Sequence, residues 1–224
     1  MSGYMKIVIS GYGKMGHMVE SVLRSRGLEP VCATDDVCSL PEDVTSGAVC
    51  IDFSTPDAFR ANYGFLAARF KAVVVGTTGW YDIKEEVFRA FRACGATLVW
   101  ASNFSIGVNA FFAAVERACT VLKGHGYTPD VKEIHHIHKL DAPSGTAKTV
   151  GGIIEAALGE KPEIISERVG EVPGTHIVRL RSEVDCLTFT HEAYSRQGFA
   201  EGAVSAALMT EGLEGVHEFK DLIL

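Results

Sequence analysis

One stretch near the N-terminus constrains the fold more than any other. Lys6 to Leu23 reads Lys-Ile-Val-Ile-Ser-Gly-Tyr-Gly-Lys-Met-Gly-His-Met-Val-Glu-Ser-Val-Leu. It is a short apolar run, a glycine cluster and then an amphipathic helical pattern. Gly11, Gly13 and Gly16 form G-x-G-x-x-G between strand and helix. In that context the glycines permit a tight turn and close approach of backbone to a pyrophosphate, which the helix N-terminus stabilises. A second apolar segment, Glu29-Pro-Val-Cys-Ala-Thr, ends in Asp35-Asp36. That is roughly twenty residues on, where a carboxylate can take ribose hydroxyls. The expected dinucleotide set is therefore Gly11, Tyr12, Gly13, Lys14, Met15, Gly16, Asp35 and Asp36. The plainer alternative is a glycine turn that only packs helix on strand.

The following residues repeat the strand–helix alternation. Val49-Cys-Ile-Asp-Phe-Ser-Thr-Pro is a buried strand, and Pro56 opens a helix through Phe70. Ala72-Val-Val-Val ends in Gly76-Thr77-Thr78-Gly79, and a helix follows from Tyr81 to Ala93. Thr97-Leu-Val-Trp leads into the loop Ala101-Ser-Asn-Phe-Ser-Ile-Gly-Val-Asn. Such alternation predicts a parallel sheet with right-handed crossovers. Ligands of these sheets bind at the carboxyl ends of the strands. The loops at Gly11, Asp35, Ser54, Thr77 and Asn103 share that edge. Beyond Asn109 a helix to Leu122 is expected, then a region from Ile164 to Thr190 with strand candidates at Ile177–Arg181 and Cys186–His191. The last long helix is expected over Ala203–Leu213.

Between these regions lies Lys132-Glu-Ile-His-His-Ile-His-Lys-Leu-Asp-Ala-Pro-Ser-Gly-Thr-Ala147, with three histidines and a lysine in five positions. Val131 to Ile137 has strand character and Thr146 to Leu158 helix character. Strand alternation puts Glu133, His135 and Ile137 on one face and Ile134, His136 and His138 on the other. Along a straight strand His135 and Lys139 would stand roughly 13 Å apart. They can serve one small molecule only if the strand ends near Lys139 and the chain turns back at Asp141-Ala142-Pro143. Pro143 disfavours a helical Ala142. Ser144, Gly145 and Thr146 then offer N–H groups and hydroxyls at a helix N-terminus, a site for a carboxylate or phosphate. A general acid, a cation and an anion cradle follow one another closely. No metal is expected, because His135 and His136 face apart and no Cys or carboxylate stands at ligand spacing. The bland reading is a polar edge strand before a capped helix.

Composition narrows the partners. The chain has 224 residues and a formal net charge of −7. An acidic balance argues against a nucleic-acid partner, so any anion must be met by a local cationic pocket. No apolar run approaches ~20 residues, so no membrane span is expected. The N-terminus runs straight into a strand and does not look like a signal peptide. Six cysteines, at 32, 38, 50, 94, 119 and 186, show no CxxC. They read as reduced thiols, and a cytoplasmic location is expected.

The stretch His-His-Ile-His-Lys-Leu-Asp-Ala-Pro-Ser-Gly-Thr-Ala closely resembles the signature of the 4-hydroxy-tetrahydrodipicolinate reductase (dihydrodipicolinate reductase) family. The Gly11, Gly76-Thr-Thr-Gly and Ala101–Asn109 loops resemble the family's cofactor-side motifs, in the family's order. Ala193-Tyr-Ser-Arg-Gln-Gly-Phe-Ala-Glu-Gly-Ala resembles its return to the first domain. The resemblance runs over nearly the whole chain, with short connections after Asp36 and Gly174 that make this a short form.

The resemblance implies hydride reduction of the cyclic imine formed when hydroxy-tetrahydrodipicolinate loses water. It also implies that Gly76, Thr77, Thr78, Ser102, Asn103 and Phe104 line the nicotinamide. His135 would be the general acid, beside Lys139. The small dicarboxylate substrate would meet His136, Ser144, Gly145, Thr146 and Arg196, with His138 structural or solvated. The expected fold class is α/β: a Rossmann-like parallel-sheet domain, 1–106 plus 197–224, with an inserted α+β substrate and oligomerisation domain, 107–196. A homo-oligomer, a tetramer in the family, is expected. NADH is expected in preference to NADPH, because Asp35 and Asp36 would repel a 2′-phosphate that Lys14 alone would attract. Two other readings stand beside this one. The first is a different two-domain nicotinamide oxidoreductase; its phosphorylating semialdehyde members need a nucleophilic Cys, and no Cys here has a recognisable activated setting. The second is a non-catalytic NAD(P)H sensor.

Overall fold

The computed structural model of the protein describes residues 5–224. The chain divides into two compact units, one formed by residues up to 105 together with 199–224, the other by residues 106–198.

The first unit begins β1 (Ile7–Ser10), α1 (Lys14–Ser25), β2 (Cys32–Thr34), α2 (Glu42–Thr45), β3 (Val49–Asp52), α3 (Pro56–Arg69), β4 (Ala72–Val75), α4 (Lys84–Cys94) and β5 (Thr97–Trp100). The second comprises α5 (Ile106–Leu122), β6 (Thr128–His135), α6 (Gly145–Leu158), β7 (Glu163–Arg168), β8 (Gly174–Arg181) and β9 (Cys186–Ala193). The chain then returns through α7 (Gln197–Met209), β10 (Val216–Glu218) and α8 (Phe219–Ile223).

The first unit is a six-stranded parallel sheet in the order β10-β5-β4-β3-β1-β2. Its central strands are near-continuous apolar runs because helices cover both faces. Ile7, Ile9, Val49, Ile51, Val74 and Val99 join α1 and α7 on one side. Val8, Cys50, Val73, Val75 and Leu98 join α3 and α4 on the other. Strand order reverses between β1 and β3, so the glycine loop leaves β1 at the switch point where such folds bind ligands. The edge strand β10 was not expected. Val216-His217-Glu218 is too short and too polar to carry a strand pattern, and it forms by pairing with Leu98, Val99 and Trp100.

The second unit is a mixed four-stranded sheet, β7-β6-β8-β9, with β6 and β7 parallel and the other pairs antiparallel. Phe111, Val115 and Cys119 of α5 and Val150, Ile154 and Leu158 of α6 pack on Val131, Val178 and Leu180. Alternation along β6 puts Val131, Glu133 and His135 on this core face, and all three are buried. Strand β6 ends at His135, two residues before the expected end at Ile137, and Ile137 and His138 lie in a turn. The turn closes with a hydrogen bond from the Lys139 N–H to the His136 carbonyl at 3.1 Å. The chain therefore leaves the strand earlier than pattern alone implied, and the alternation of side chains stops at His135. The Ala142–Pro143 peptide is cis. All six cysteines are free thiols.

Candidate active site

The glycine loop of the first unit is shaped by close packing. Gly11 has φ +86°, and a Cβ there would come within 2.5 Å of the Phe53 carbonyl group. Gly16 lies against the Gly11 carbonyl oxygen with no room for a side chain. Gly13 precedes α1 as its N-cap residue and faces open space. These are the three duties the spacing requires: turn, open approach and helix–strand packing. Asp35 is exposed, and its Oδ1 accepts the Tyr12 N–H at 2.6 Å. Asp36 and Lys14 are exposed, and Met15 is half-buried.

One organising residue of this edge was missed in the sequence. Asp52 ends β3 almost fully buried, and its carboxylate accepts Ser10 Oγ at 2.7 Å, Thr77 Oγ1 at 2.6 Å and Ser54 Oγ at 3.0 Å. It thereby ties the carboxyl ends of β1, β3 and β4 together. Burial pushes its carboxyl above the ordinary aspartate value, and the hydrogen bonds from Thr77, Ser10 and Ser54 oppose this without cancelling it. The signal was there: a carboxylate at the end of a buried strand followed by Ser-Thr.

Two of the expected cofactor-side residues turn their side chains inward. The Thr77 hydroxyl is spent on Asp52, leaving Thr78 as the exposed hydroxyl of that loop. The Phe104 ring is core, 2% exposed and packed on Phe219 at 4.9 Å. Its ring packs against Phe53 and Phe219 and so anchors the loop in the core. Ser102 remains exposed, Gly76 and Asn103 are half-buried, and Asn103 Oδ1 accepts the Ser105 N–H at 2.8 Å.

The second unit gathers a dense polar cluster on the core face at one end of its sheet. Glu133 and His135 come from β6, His176 from β8, Arg168 from β7 and Ser144 from the cap of α6. Both Glu133 oxygens accept the Ser144 N–H, at 3.0 and 3.1 Å, and Arg168 Nη2 lies 3.2 Å from Oε1. His135 Nδ1 stands 3.3 Å from Glu133 Oε2, without the alignment of a hydrogen bond. His176 Nε2 is 3.2 Å from Ser144 Oγ, and its ring is 5.1 Å from that of His135. Ser144 Oγ also accepts the Ala147 N–H at 3.2 Å, which caps α6.

The cradle is thus partly filled from within. The Ser144 N–H serves Glu133, so Ser144 does not offer it to a ligand as expected. The N–H groups of Gly145 and Thr146, first in α6, keep no hydrogen-bond partner among the described residues. Lys139 Nζ pairs with Asp141 Oδ1 at 2.7 Å and is 23% exposed. Arg168 also donates to the carbonyl of Asp141 at 2.6 Å, which fastens the turn that carries Lys139. His136 is half-buried, and His138 is exposed and paired with Glu171 at 3.0 Å. Arg196 is exposed in the turn after β9.

Electrostatics follow the burial. Burial lowers the His135 pKa; Glu133 pulls it back up, while Lys139 and Arg168 push the same way as burial. Burial takes His176 down to about 4, helped by His135. Burial alone would raise Glu133, but the Ser144 and Ser166 groups beside it, with His135, hold it below its ordinary value. Glu133, His135 and His176 bring one donor atom each within 4.8 Å of one another. The expectation that no carboxylate stands at ligand spacing from these histidines needs correcting, because β8 brings His176 to the face that Glu133 and His135 already share. Arg168 already places a positive charge against Glu133, which disfavours a cation in the same spot. Arg168 and His176 were not singled out in the sequence. Each is a polar residue on an inward-facing strand position, and only sheet register brings it to the cluster.

A parallel sheet with a glycine loop at its switch point and a second unit carrying imidazoles, a lysine and a helix N-terminus are the parts a two-unit nicotinamide-dependent oxidoreductase needs, and the family matches place the chain in that class. Residues 5–104 match the family model described as Dihydrodipicolinate reductase, N-terminus, and residues 107–223 match Dihydrodipicolinate reductase, C-terminus. The chain belongs to the dihydrodipicolinate reductase family, and its activity is NAD(P)H-dependent reduction of 4-hydroxy-tetrahydrodipicolinate in the diaminopimelate route of lysine biosynthesis. It is similar to the 4-hydroxy-tetrahydrodipicolinate reductase of Christiangramia forsetii, 36% identical over 234 residues and covering 98% of each chain. It is 41% identical over 179 residues to the enzyme of the same name from Xanthomonas euvesicatoria, covering 79% of this chain and 73% of that one. The fold is similar to a dipicolinate-bound dihydrodipicolinate reductase from Paenisporosarcina sp. TG-14, with TM-score 0.80, 20% identity and coverage of 98% and 99%.

Proposed function

We propose that the second unit binds the substrate dicarboxylate and supplies its proton, and that the first unit, residues up to 105 together with 199–224, binds the nicotinamide cofactor. The carrying observation is the pair of unpartnered N–H groups at Gly145 and Thr146 beside the turn that presents Lys139. N–H groups at a helix N-terminus suit one carboxylate. Lys139, His136 and the exposed Arg196 are the further groups for a dianion on a net-acidic chain. Hydride addition to the conjugated imine leaves an electron-rich enamine carbon. His135 gives that carbon a proton: burial lowers its pKa, which makes its imidazolium the readier proton donor. Ser144 acts by shaping the cradle, since its own N–H and hydroxyl are engaged.

NADH is the preferred cofactor and NADPH the poorer one. Two exposed carboxylates, Asp35 and Asp36, follow β2, against the one exposed ammonium of Lys14. The assembly is a homo-oligomer, as expected for the family, and the location is cytoplasmic; no helix among the described residues is long and apolar enough to cross a membrane.

The test is inhibition by pyridine-2,6-dicarboxylate, a planar dianion, of NADH oxidation coupled to enzymatic generation of the substrate. Inhibition should be competitive with the substrate and should weaken with salt, because the contacts are charge-assisted. Inhibition competitive with NADH alone would move the dianion to the wrong unit.

A further inference from the structure

We propose that Glu133 is the positioning residue of His135: one buried carboxylate holds the Nδ1 edge of the imidazole and the N-terminus of α6 together, and leaves Nε2 as the atom that exchanges the proton. This deepens the proposed function and rests on His135 being its proton donor.

Three observations carry it. First, Glu133 has no side-chain exposure, and its charge is met on several sides: by the Ser144 N–H at 3.0 and 3.1 Å, by Arg168 at 3.2 Å and by His135 Nδ1 at 3.3 Å. A buried carboxylate so satisfied stays ionised and fixed, which a partner-orienting group requires. Second, His135 Nδ1 is buried and has no aligned hydrogen bond. Protonation at Nδ1 and a small ring rotation would complete the bond to Glu133 Oε2. Third, the opposite edge of the ring lies over a glycine: a Cβ at Gly174 would come 3.0 Å from His135 Nε2 and 3.2 Å from Cδ2. The ring is therefore wedged between a carboxylate on one edge and bare backbone on the other.

The chemistry follows from that wedge. After hydride addition the enamine carbon takes the proton from Nε2 of imidazolium. The Nε2–H bond breaks, the C–H bond forms, and neutral imidazole remains with its other proton held toward Glu133, which stays a carboxylate throughout. The same carboxylate holds Ser144 at the start of α6. Proton donor and N–H cradle are thereby kept in register through one side chain.

The charged and titratable groups around His135 are Glu133 on its own strand, Lys139 and Asp141 in the following turn, Arg168 on β7 and His176 on β8. Glu133 and Asp141 favour imidazolium, while Lys139 and Arg168 oppose it. Removing Glu133 and removing Arg168 should therefore move the His135 titration in opposite directions, which a merely structural role would not do.

The experiment is an NMR titration of the His135 ring, alongside kcat and kcat/KM against pH, in the parent, Glu133→Gln and Arg168→Gln. Glu133→Gln should lower the His135 midpoint and move the activity limb set by imidazolium to lower pH. It should also reduce kcat by ~10–10²-fold, within the usual worth of a positioned acid, with a smaller change in KM. Arg168→Gln should raise the midpoint and move the limb to higher pH. Unmoved midpoints, or shifts of the same sign in both variants, would overturn the proposal. If Glu133→Gln does not fold, Arg168→Gln decides: an unmoved His135 midpoint there rejects the network. A parent with no reductase activity would sink the functional reading instead, while the ring titration still decides the Glu133–His135 pairing.

Discussion

The buried His176 makes stability depend on pH between neutrality and pH 4. Burial takes its pKa in the fold down to about 4, from an ordinary histidine value of about 6.5. Above pH 6.5 both states hold the neutral ring and the group contributes nothing to the pH dependence. Below it the unfolded chain takes up a proton that the fold refuses, so stability falls as pH drops toward 4. At 1.36 kcal/mol per pKa unit, this one ring costs about 2 kcal/mol between pH 7.5 and 5.0. His135 and His191, both lowered first by burial, add to the loss in the same direction. Glu133, Asp82 and Asp141 have lowered pKa values, so their contributions are lost only below this window. Asp52, raised by burial, works the other way, because the fold binds its proton more readily than the unfolded chain. The assay is urea unfolding at pH 7.5 and 5.0 for the parent and His176→Gln. The parent should lose about 2 kcal/mol or more, and the variant about 2 kcal/mol less than the parent, whatever its stability at pH 7.5. An equal pH dependence in the two would refute the placement of His176 as a neutral buried ring.

Lys139→Ala should lower kcat and raise KM together, since a misplaced substrate loses near-attack geometry. Its NADH affinity by calorimetry should be unchanged; an equal loss there would move Lys139 to the cofactor. Asp52→Ala should cost roughly 2–4 kcal/mol in urea unfolding, because the hydroxyls of Ser10, Ser54 and Thr77 lose their acceptor. A loss under ~0.5 kcal/mol, the level of an ordinary surface change, would contradict its role as the tie between β1, β3 and β4. The ratio of kcat/KM for NADH over NADPH should be on the order of ten, about 1.4 kcal/mol, and should fall in Asp36→Ala. Asp35→Ala should weaken both cofactors, since Asp35 also holds the Tyr12 N–H. A parent that prefers NADPH, with the preference lost in Lys14→Ala, would reverse the assignment.

What the sequence made legible was local. Glycines that only close packing explains, buried apolar runs and a Pro turn before a capped helix all leave marks within a dozen residues. The parallel sheet and the start of α6 could be read from them. Contacts made by register could not. His176 faces Glu133 because β8 pairs antiparallel with β6, Glu133 opposite His176. Arg168 stands beside His135 because β7 pairs parallel with β6. Neither pairing leaves a spacing in the chain. Side-chain direction at loop ends was equally hidden. Thr77 turns inward to a buried carboxylate, and Phe104 turns into the core, although both sit in loops whose motif points to the cofactor. Strand β6 ends at His135, not Ile137, because the turn after it closes on the His136 carbonyl. Alternation of residue types cannot register such a turn.

The central claim is that His135 supplies the proton in the reductase reaction. It is tested most directly by NADH oxidation, coupled to enzymatic supply of the substrate, in the parent and in His135→Gln. The account predicts a fall in kcat of ~10²–10⁴-fold, with a much smaller change in KM and unaltered NADH binding. Turnover near that of the parent would remove His135 from the chemistry.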